Sequence, residues 1–420
     1  MRLKIFIITI LAMILFYSPS PAYQWESVGL EGFSVLSIAV NPDNANNIIA
    51  GTDRGLYVSF NGGANWILKS AVNLYYPDVE FAPLATDKVF ALAAGGSYSD
   101  GLYCSEDDGN NWWPVSYMLY PKRMGFDYQY DGFMYICFDN GILKSQNYGE
   151  NVSAANIGLP DTIISDVIGD GTNAMEAYAV GRNFLVHTTD FANEWAEMEG
   201  YFNLPTHNPN QIAFEPNSTE ILYVTCRNIF AVSPSGGLTW NYTEMDASDL
   251  TPIACHPLVN GEVYVGSVSG GGVYKSTDTG VSFHAVNEGL DNMNVHSLAI
   301  TPDLMLLAGT DNGIYEVDLE MVGIDDDEPL PDDIRIVRNY PNPFNARTVI
   351  KLNLADNQYR KLDLFDITGR FISTLFEGYD AESIVWDGTD GHGNELASGI
   401  YFYRLKTSDR TVWRKMTLLR

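Results

Sequence analysis

Positive charge is what this chain has least of: 24 Lys and Arg stand against 53 Asp and Glu, a formal net charge of −29. A field of that sign repels phosphate backbones and anionic lipid heads, which excludes nucleic acid as a partner. Histidine is scarce too, with 6 residues at no ligand spacing, and the HExxH, GxSxG and P-loop patterns are absent. The four cysteines, Cys104, Cys137, Cys226 and Cys255, stand singly in apolar runs without a CxxC pair or metal-ligand spacing. They read as buried thiols, with a bridge between neighbouring strands the alternative in an oxidising compartment. No metal, no cofactor and no catalytic residue can be assigned from these patterns.

Long hydrophobic runs are equally rare. The single one, in Met1 to Ala22, follows Arg2 and Lys4 and ends on Ser20-Pro21-Ala22. Basic start, apolar middle and small-residue end predict a signal peptide over 1–22, with an uncleaved anchor as the alternative. The mature chain then has no membrane span and reaches the outer cell surface or the medium through the periplasm. What the chain has in quantity is aromatic and turn-forming residues: 13% aromatic, 37 Gly and 25 Tyr. These favour strands and tight turns, so an all-β fold is expected.

Internal repetition organises residues 23–320. "GLYVSFNGGANW" ends at Trp66, "GLYCSEDDGNNW" at Trp112, "GILKSQNYGENV" at Val152, "LVHTTDFANEW" at Trp195, "IFAVSPSGGLTW" at Trp240 and "GVYKSTDTGVSF" at Phe283. The leading hydroxyl residues Ser59, Ser105, Ser145, Thr188, Ser233 and Ser276 are spaced by 46, 40, 43, 45 and 43 residues. A seventh copy, Gly309 to Leu319, keeps the strand but stops before the Gly and Trp, and the missing half stands at the other end as "WESVGLEG" from Trp25. A period of this length with about four strands per unit predicts a seven-bladed β-propeller. Its last blade is completed by the N-terminal strand, residues 24–30, which removes the open sheet edge.

The recurring Ser-x-Asp-x-Gly-x-x-Trp resembles the Asp-box, the hairpin motif of sialidases, sortilin-type receptors, the photosystem II stability factor and some xyloglucan hydrolases. Locally, the hydroxyl and carboxylate bond backbone groups of the turn, Gly supplies a positive φ, and the ring packs beneath. The acidic position varies to Asn61, Asn147 and Ser235, so the motif reads as structural and not as a metal site. The resemblance implies that it sits on the turns between third and fourth strands, away from the ligand-binding face.

Residues 321–334 are acidic and Pro-bearing and read as a linker. Residues 335–420 form short alternating strands suited to a small Ig-like β-sandwich. This tail resembles the C-terminal sorting domain of the type IX secretion system, related in form to the flagellar hook-capping domain. The matching residues are Asn339-Tyr340-Pro341-Asn342-Pro343-Phe344, Gly369, Trp386, Gly399 with Tyr401, and Lys415. The resemblance implies that the tail is an address read by an outer-membrane export machine.

The propeller contains four arginines, Arg54, Arg123, Arg182 and Arg227, and lacks the early Arg-Ile-Pro segment that sialidases resemble one another in carrying. Arg54, Arg182 and Arg227 fall on the turns between second and third strands, which share a face with the blade-to-blade connections; Arg123 belongs near the same rim. The connections carry Tyr75, Tyr76, Tyr117, Tyr120 and Tyr201. Aromatic planes beside arginines can stack on sugars or grip a peptide, while local Asp partners and core packing are the plainer uses of the same residues. The expected function is non-enzymatic recognition or scaffolding, with that face binding an extracellular glycan or protein. The alternative is an exo-sialidase-like glycoside hydrolase using the same face.

Overall fold

The computed structural model describes residues 23–418 except 71–73, 96–98, 172, 199–207, 217, 219, 320–333, 341–346, 355–358, 367–369, 380–382 and 408–410. The expected leader, nearly all of the linker, Tyr201, Pro341, Asn342, Pro343, Phe344 and Gly369 lie outside the described residues. The chain divides into two compact units, one over Tyr23–Gly323 and one containing Ile324–Arg420. No described helix is long and apolar enough to cross a membrane.

The first unit is built of seven four-stranded antiparallel sheets. In blade 1 the strands run Val35–Asn41, Asn44–Thr52, Gly55–Ser59 and Ile67–Leu68 from the innermost outwards. Second strands such as Ala85–Ala94 and Val263–Ser267 are buried on both faces along their apolar runs, whereas the two-residue outer strands of blades 1, 3, 4 and 6 are exposed. That contrast follows from the letters: "NIIAGT" and "VFALAA" are continuous apolar stretches suited to packing on two sides. The seventh sheet joins Val295–Ile300, Met305–Thr310 and Gly313–Asp318 to the N-terminal strand Glu26–Gly29. Ser27 stands opposite Tyr315, so the ring closes with chain from both ends and leaves no open blade.

Seven buried apolar clusters fill the seams, one between each pair of adjacent blades. The closing seam packs Tyr23 and Trp25 against Tyr264, Val286 and Tyr315. Each repeated octet is a turn at the far end of its third strand. Ser105 Oγ accepts from the Gly109 amide at 2.9 Å and donates to Asp107 Oδ1 at 2.8 Å, while Asp107 Oδ1 accepts from the Asn111 amide at 2.8 Å. The same pattern holds with Asn61 or Ser235 in the acidic position. A Cβ on Gly109, which has φ +89°, would stand 3.0 Å from Ile49 of the preceding blade, so this turn needs glycine for conformation and for space. Trp66, Trp195 and Trp25 donate their indole N–H to Val28, Ala155 and Val286 carbonyls of the preceding blade. Trp112 and Trp240 instead donate to the carbonyl of their own turn glycine. The octets are rivets between blades.

None of the four cysteines is joined in a disulfide; Cys104, Cys137 and Cys226 are buried and Cys255 is half-buried. Loss of hydration pushes the Cys104 thiol up to about 12.

The second unit has a three-stranded sheet (Ile334–Tyr340, Thr348–Leu354, Ser383–Trp386) and a four-stranded one (Phe371–Gly378, Arg360–Asp366, Gly399–Thr407, Thr411–Leu418). Leu362, Leu364, Trp386, Tyr401, Tyr403 and Met416 share its core. Trp386 and Tyr401 meet edge to face at 5.5 Å, and the Trp386 indole donates to the Thr389 carbonyl. Asn339 and Tyr340 end the first strand of the smaller sheet, Gly399 begins the third of the larger, and Lys415 stands opposite Phe402 in its last.

Candidate ligand funnel

Seven irregularities in strand pairing build the site. Each innermost strand carries a β-bulge at its start, where two residues oppose one on the second strand: Val35 to Ser37, Tyr75 to Asp78, Pro121 to Arg123, Ile164 to Asp166, Pro209 to Gln211, Leu250 to Ile253 and Val295 to Ser297. A bulge re-aims its extra residue. Here the extra residues are Leu36, Pro77, Lys122, Ser165, Asn210, Thr251 and His296, and all seven line one cavity of about 450 Å³. Tyr75, Tyr120, Pro121, Arg123, Asp139 and Val268 complete the lining. Since the start of each first strand pairs with the end of the second, the funnel shares its face with the second-to-third-strand turns. The octet turns lie at the opposite end.

Charges at the funnel are matched. Lys122 pairs with Asp139 at 3.0 Å and Arg123 Nη1 with Asp78 Oδ1 at 3.3 Å. His296 Nε2 meets Asp311 Oδ1 at 2.7 Å. Partial burial pulls the Asp311 carboxyl up, but the bonds from Asn294, His296 and Ser34 outweigh it and leave it below the ordinary carboxylate range. Tyr75 is raised by burial and by Asp100 and Asp139.

One residue past the bulge, side chains of blades 2, 4 and 5 bond the next blade. Asp78 Oδ2 accepts from the Met124 amide at 2.7 Å, Asp166 Oδ2 from the Ile212 amide at 3.1 Å, and Gln211 Oε1 from the Ile253 amide at 3.1 Å. Loss of hydration pushes the Asp166 carboxyl up to about 7 against the pull of Arg123 and the amides. Asp78 is raised by the same cause, and Glu80 is pushed well up by burial and then by Asp78 and Asp166. One arginine thus faces three carboxyl groups, each raised by burial.

Of the residues singled out from sequence, Tyr75, Tyr120 and Arg123 line the funnel. Tyr76 occupies the buried position before the bulge, in the core between blades 1 and 2. Tyr117 is 70% exposed and outside the lining. Arg54 bonds Asp53 at 3.0 Å and the Gly32 carbonyl at 2.5 Å and lies over the Phe33 ring. Arg182 and Arg227 are exposed and line no part of the cavity. The four arginines are not brought together. The bulge residues were missed, because a bulge is set by register against the second strand, which the letters of the first strand do not carry.

Residues 338–418 match the family described as the secretion system C-terminal sorting domain. The tail is therefore a type IX sorting domain, which implies export to the surface or the medium and engagement by that machinery. No curated protein matches the chain by sequence. Among solved structures, the chain is similar to YCF48 bound to D1 peptide, at 15% identity and TM-score 0.54, over 72% of this chain and 98% of that one. It is also similar to YCF48 from Cyanidioschyzon merolae, at 15% identity and TM-score 0.54, over 70% and 98% of the two chains. The GH74 xyloglucanase from Xanthomonas campestris is matched at 15% identity and TM-score 0.58, over 93% of this chain and 68% of that one. Likeness at these identities is likeness of fold, a β-propeller.

Proposed function

We propose that the protein is a recognition module, carried out of the cell by its tail, whose propeller receives an extracellular glycan or protein at the funnel. The observation carrying this reading is the convergence of one bulge residue from each of seven blades on a single cavity. Bulges interrupt strand pairing, and seven at one register need a use at the surface they serve. The cavity falls within the roughly 300–1,000 Å³ of small-molecule sites and mixes apolar with polar lining as they do. The sialidase-like alternative needs the arginines gathered with Glu and Tyr in one pocket. Arg54 held on Asp53, with Arg182 and Arg227 outside the lining, favours recognition over it. The two kinds of structural neighbour, one with a bound peptide and one a xyloglucanase, support a propeller face that accommodates either ligand class.

The test is binding of the full chain to glycan and peptide arrays, repeated with Ser165→Trp to plug the funnel. Ligands retained by the wild type and lost by the plugged variant support the reading. Binding indifferent to the plug, or no binding to either array, overturns it.

A further inference from the structure

The funnel is two-faced. Blades 2 and 3 give it the flat Tyr75, Pro77 and Tyr120 beside the charged Lys122, Arg123 and Asp139, whereas blades 4, 5 and 6 give it the uncharged Ser165, Asn210 and Thr251, with Val268. The Asn210 side chain donates through Nδ2 to the Leu250 carbonyl at 2.6 Å, which leaves its Oδ1 as the acceptor. Arg123 stands one residue deeper along its strand than the bulge residue of any other blade, so it forms the floor. Its side chain is 22% exposed, and the one hydrogen bond it makes among the described residues, from Nη1 to Asp78, uses one of five N–H donors. Asp78 Oδ2 is bonded by the Met124 amide, and the Asp166 oxygens by the Val167 and Ile212 amides. Donors of the guanidinium remain for a ligand.

Resting on the recognition reading, the geometry points to a neutral sugar at the end or branch tip of a glycan as the occupant of this funnel. A pyranose has an apolar C–H face that stacks on an aromatic or proline plane and hydroxyl edges that both donate and accept, which matches a lining that offers such planes together with hydroxyl, amide and guanidinium groups. Neutrality follows from the charges. Arg123 faces Asp78 at 3.3 Å and Lys122 faces Asp139 at 3.0 Å, so an acidic sugar competes at each of these two cations with a carboxylate already in place. Hydroxyls take the remaining guanidinium donors without adding charge. End-on binding follows from the shape, because a funnel ringed by seven blades and floored by Arg123 is reached from one side. A peptide strand binds by adding to a sheet edge and a helix by lying in a groove; the bulged ring presents side chains instead.

The experiment is calorimetric titration of the full chain with neutral oligosaccharides of one to six units from several homopolymers, with uronate oligosaccharides as the charged comparison. Affinity is expected to rise to about two units and then level, as a cavity of this size fills. Uronates are expected to bind at least about tenfold more weakly, and Tyr120→Ala and Asn210→Ala each to weaken the neutral ligand about tenfold. Arg123→Lys keeps the charge but loses the fork, and is expected to weaken it similarly; the melting temperature of each variant separates loss of binding from loss of fold. Affinity that climbs with every unit to six, uronates that bind as well, or variants that fold and bind as the wild type does each overturn the inference. If no sugar binds but peptides do, in a manner lost in Ser165→Trp, the sugar inference falls and the recognition reading stands. If nothing binds, both fall.

Discussion

Replacing Trp25 by Ala tests ring closure directly. Trp25 is 2% exposed in the seam between blades 6 and 7, its indole N–H donates to the Val286 carbonyl at 2.6 Å, and its amide donates to the Glu288 carbonyl at 3.0 Å. Burying about 200 Å² of ring at roughly 25 cal/mol per Å² is worth about 5 kcal/mol, at the top of the roughly 3–5 kcal/mol measured for such truncations. Trp25→Phe keeps most of the packing but leaves the Val286 carbonyl without its donor, a cost of roughly 1–3 kcal/mol. Trp113, on an exposed outer strand, is the control, and Trp113→Ala is expected to cost less than about 1 kcal/mol. Calorimetry on the full chain reads these as a fall of the propeller transition on the order of 10 °C for Trp25→Ala, with Trp25→Phe between it and the wild type. Hydrogen exchange adds a second readout, since amides of Glu26–Gly29 and Gly313–Asp318 should lose protection first. A Trp25→Ala protein melting within about 2 °C of the wild type, or a Trp113→Ala protein that falls as far, refutes closure through the N-terminal strand.

Two further outcomes follow from the same physical picture. Ser105→Ala removes a buried acceptor of the Gly109 and Asp107 amides and is expected to cost roughly 1–3 kcal/mol; calcium or a chelator should not change wild-type stability, and a calcium-dependent melting temperature would show that the octets hold metal. In the channel, the folded-state pKa of Asp166 is raised to about 7, so between pH 4 and 7 the folded protein holds a proton that the unfolded chain has released. The stability contribution of Asp166 therefore falls as pH rises through that window, by about 4 kcal/mol if the shift is expressed in full, and Asp78 and Glu80, also raised, act in the same direction. Acidification from pH 8 to 5 should raise the propeller melting temperature and Asp166→Asn should flatten the profile; an unchanged slope in the variant would remove Asp166 as its source.

How far sequence reached depended on the range of the interaction involved. The octets were legible because a hydroxyl bonding amides two and four residues on is local chemistry, identical wherever it recurs. Strand order was legible for a related reason: a repeat of four strands that buries neither face alone has to stack with its neighbours. Arg54 is a case where proximity in sequence was the right guide, since Asp53 is its partner. Arg123 is the opposite case, because its partner Asp78 belongs to another blade, 45 residues away. Tyr76 differs from Tyr75 by one position, and only the register of a bulge decides that one lines the funnel and the other is buried in the core.

The sequence by itself determined the period, the seven units, the split blade that closes the ring and the sorting tail, because each is written in spacing or in a contiguous motif. Tertiary structure alone decided which residue of each first strand reaches the funnel, and that three carboxylates from two blades share one arginine below it. Those facts depend on registers and distances between strands roughly 45 residues apart, where desolvation and Coulomb terms are set by neighbours that no local pattern names.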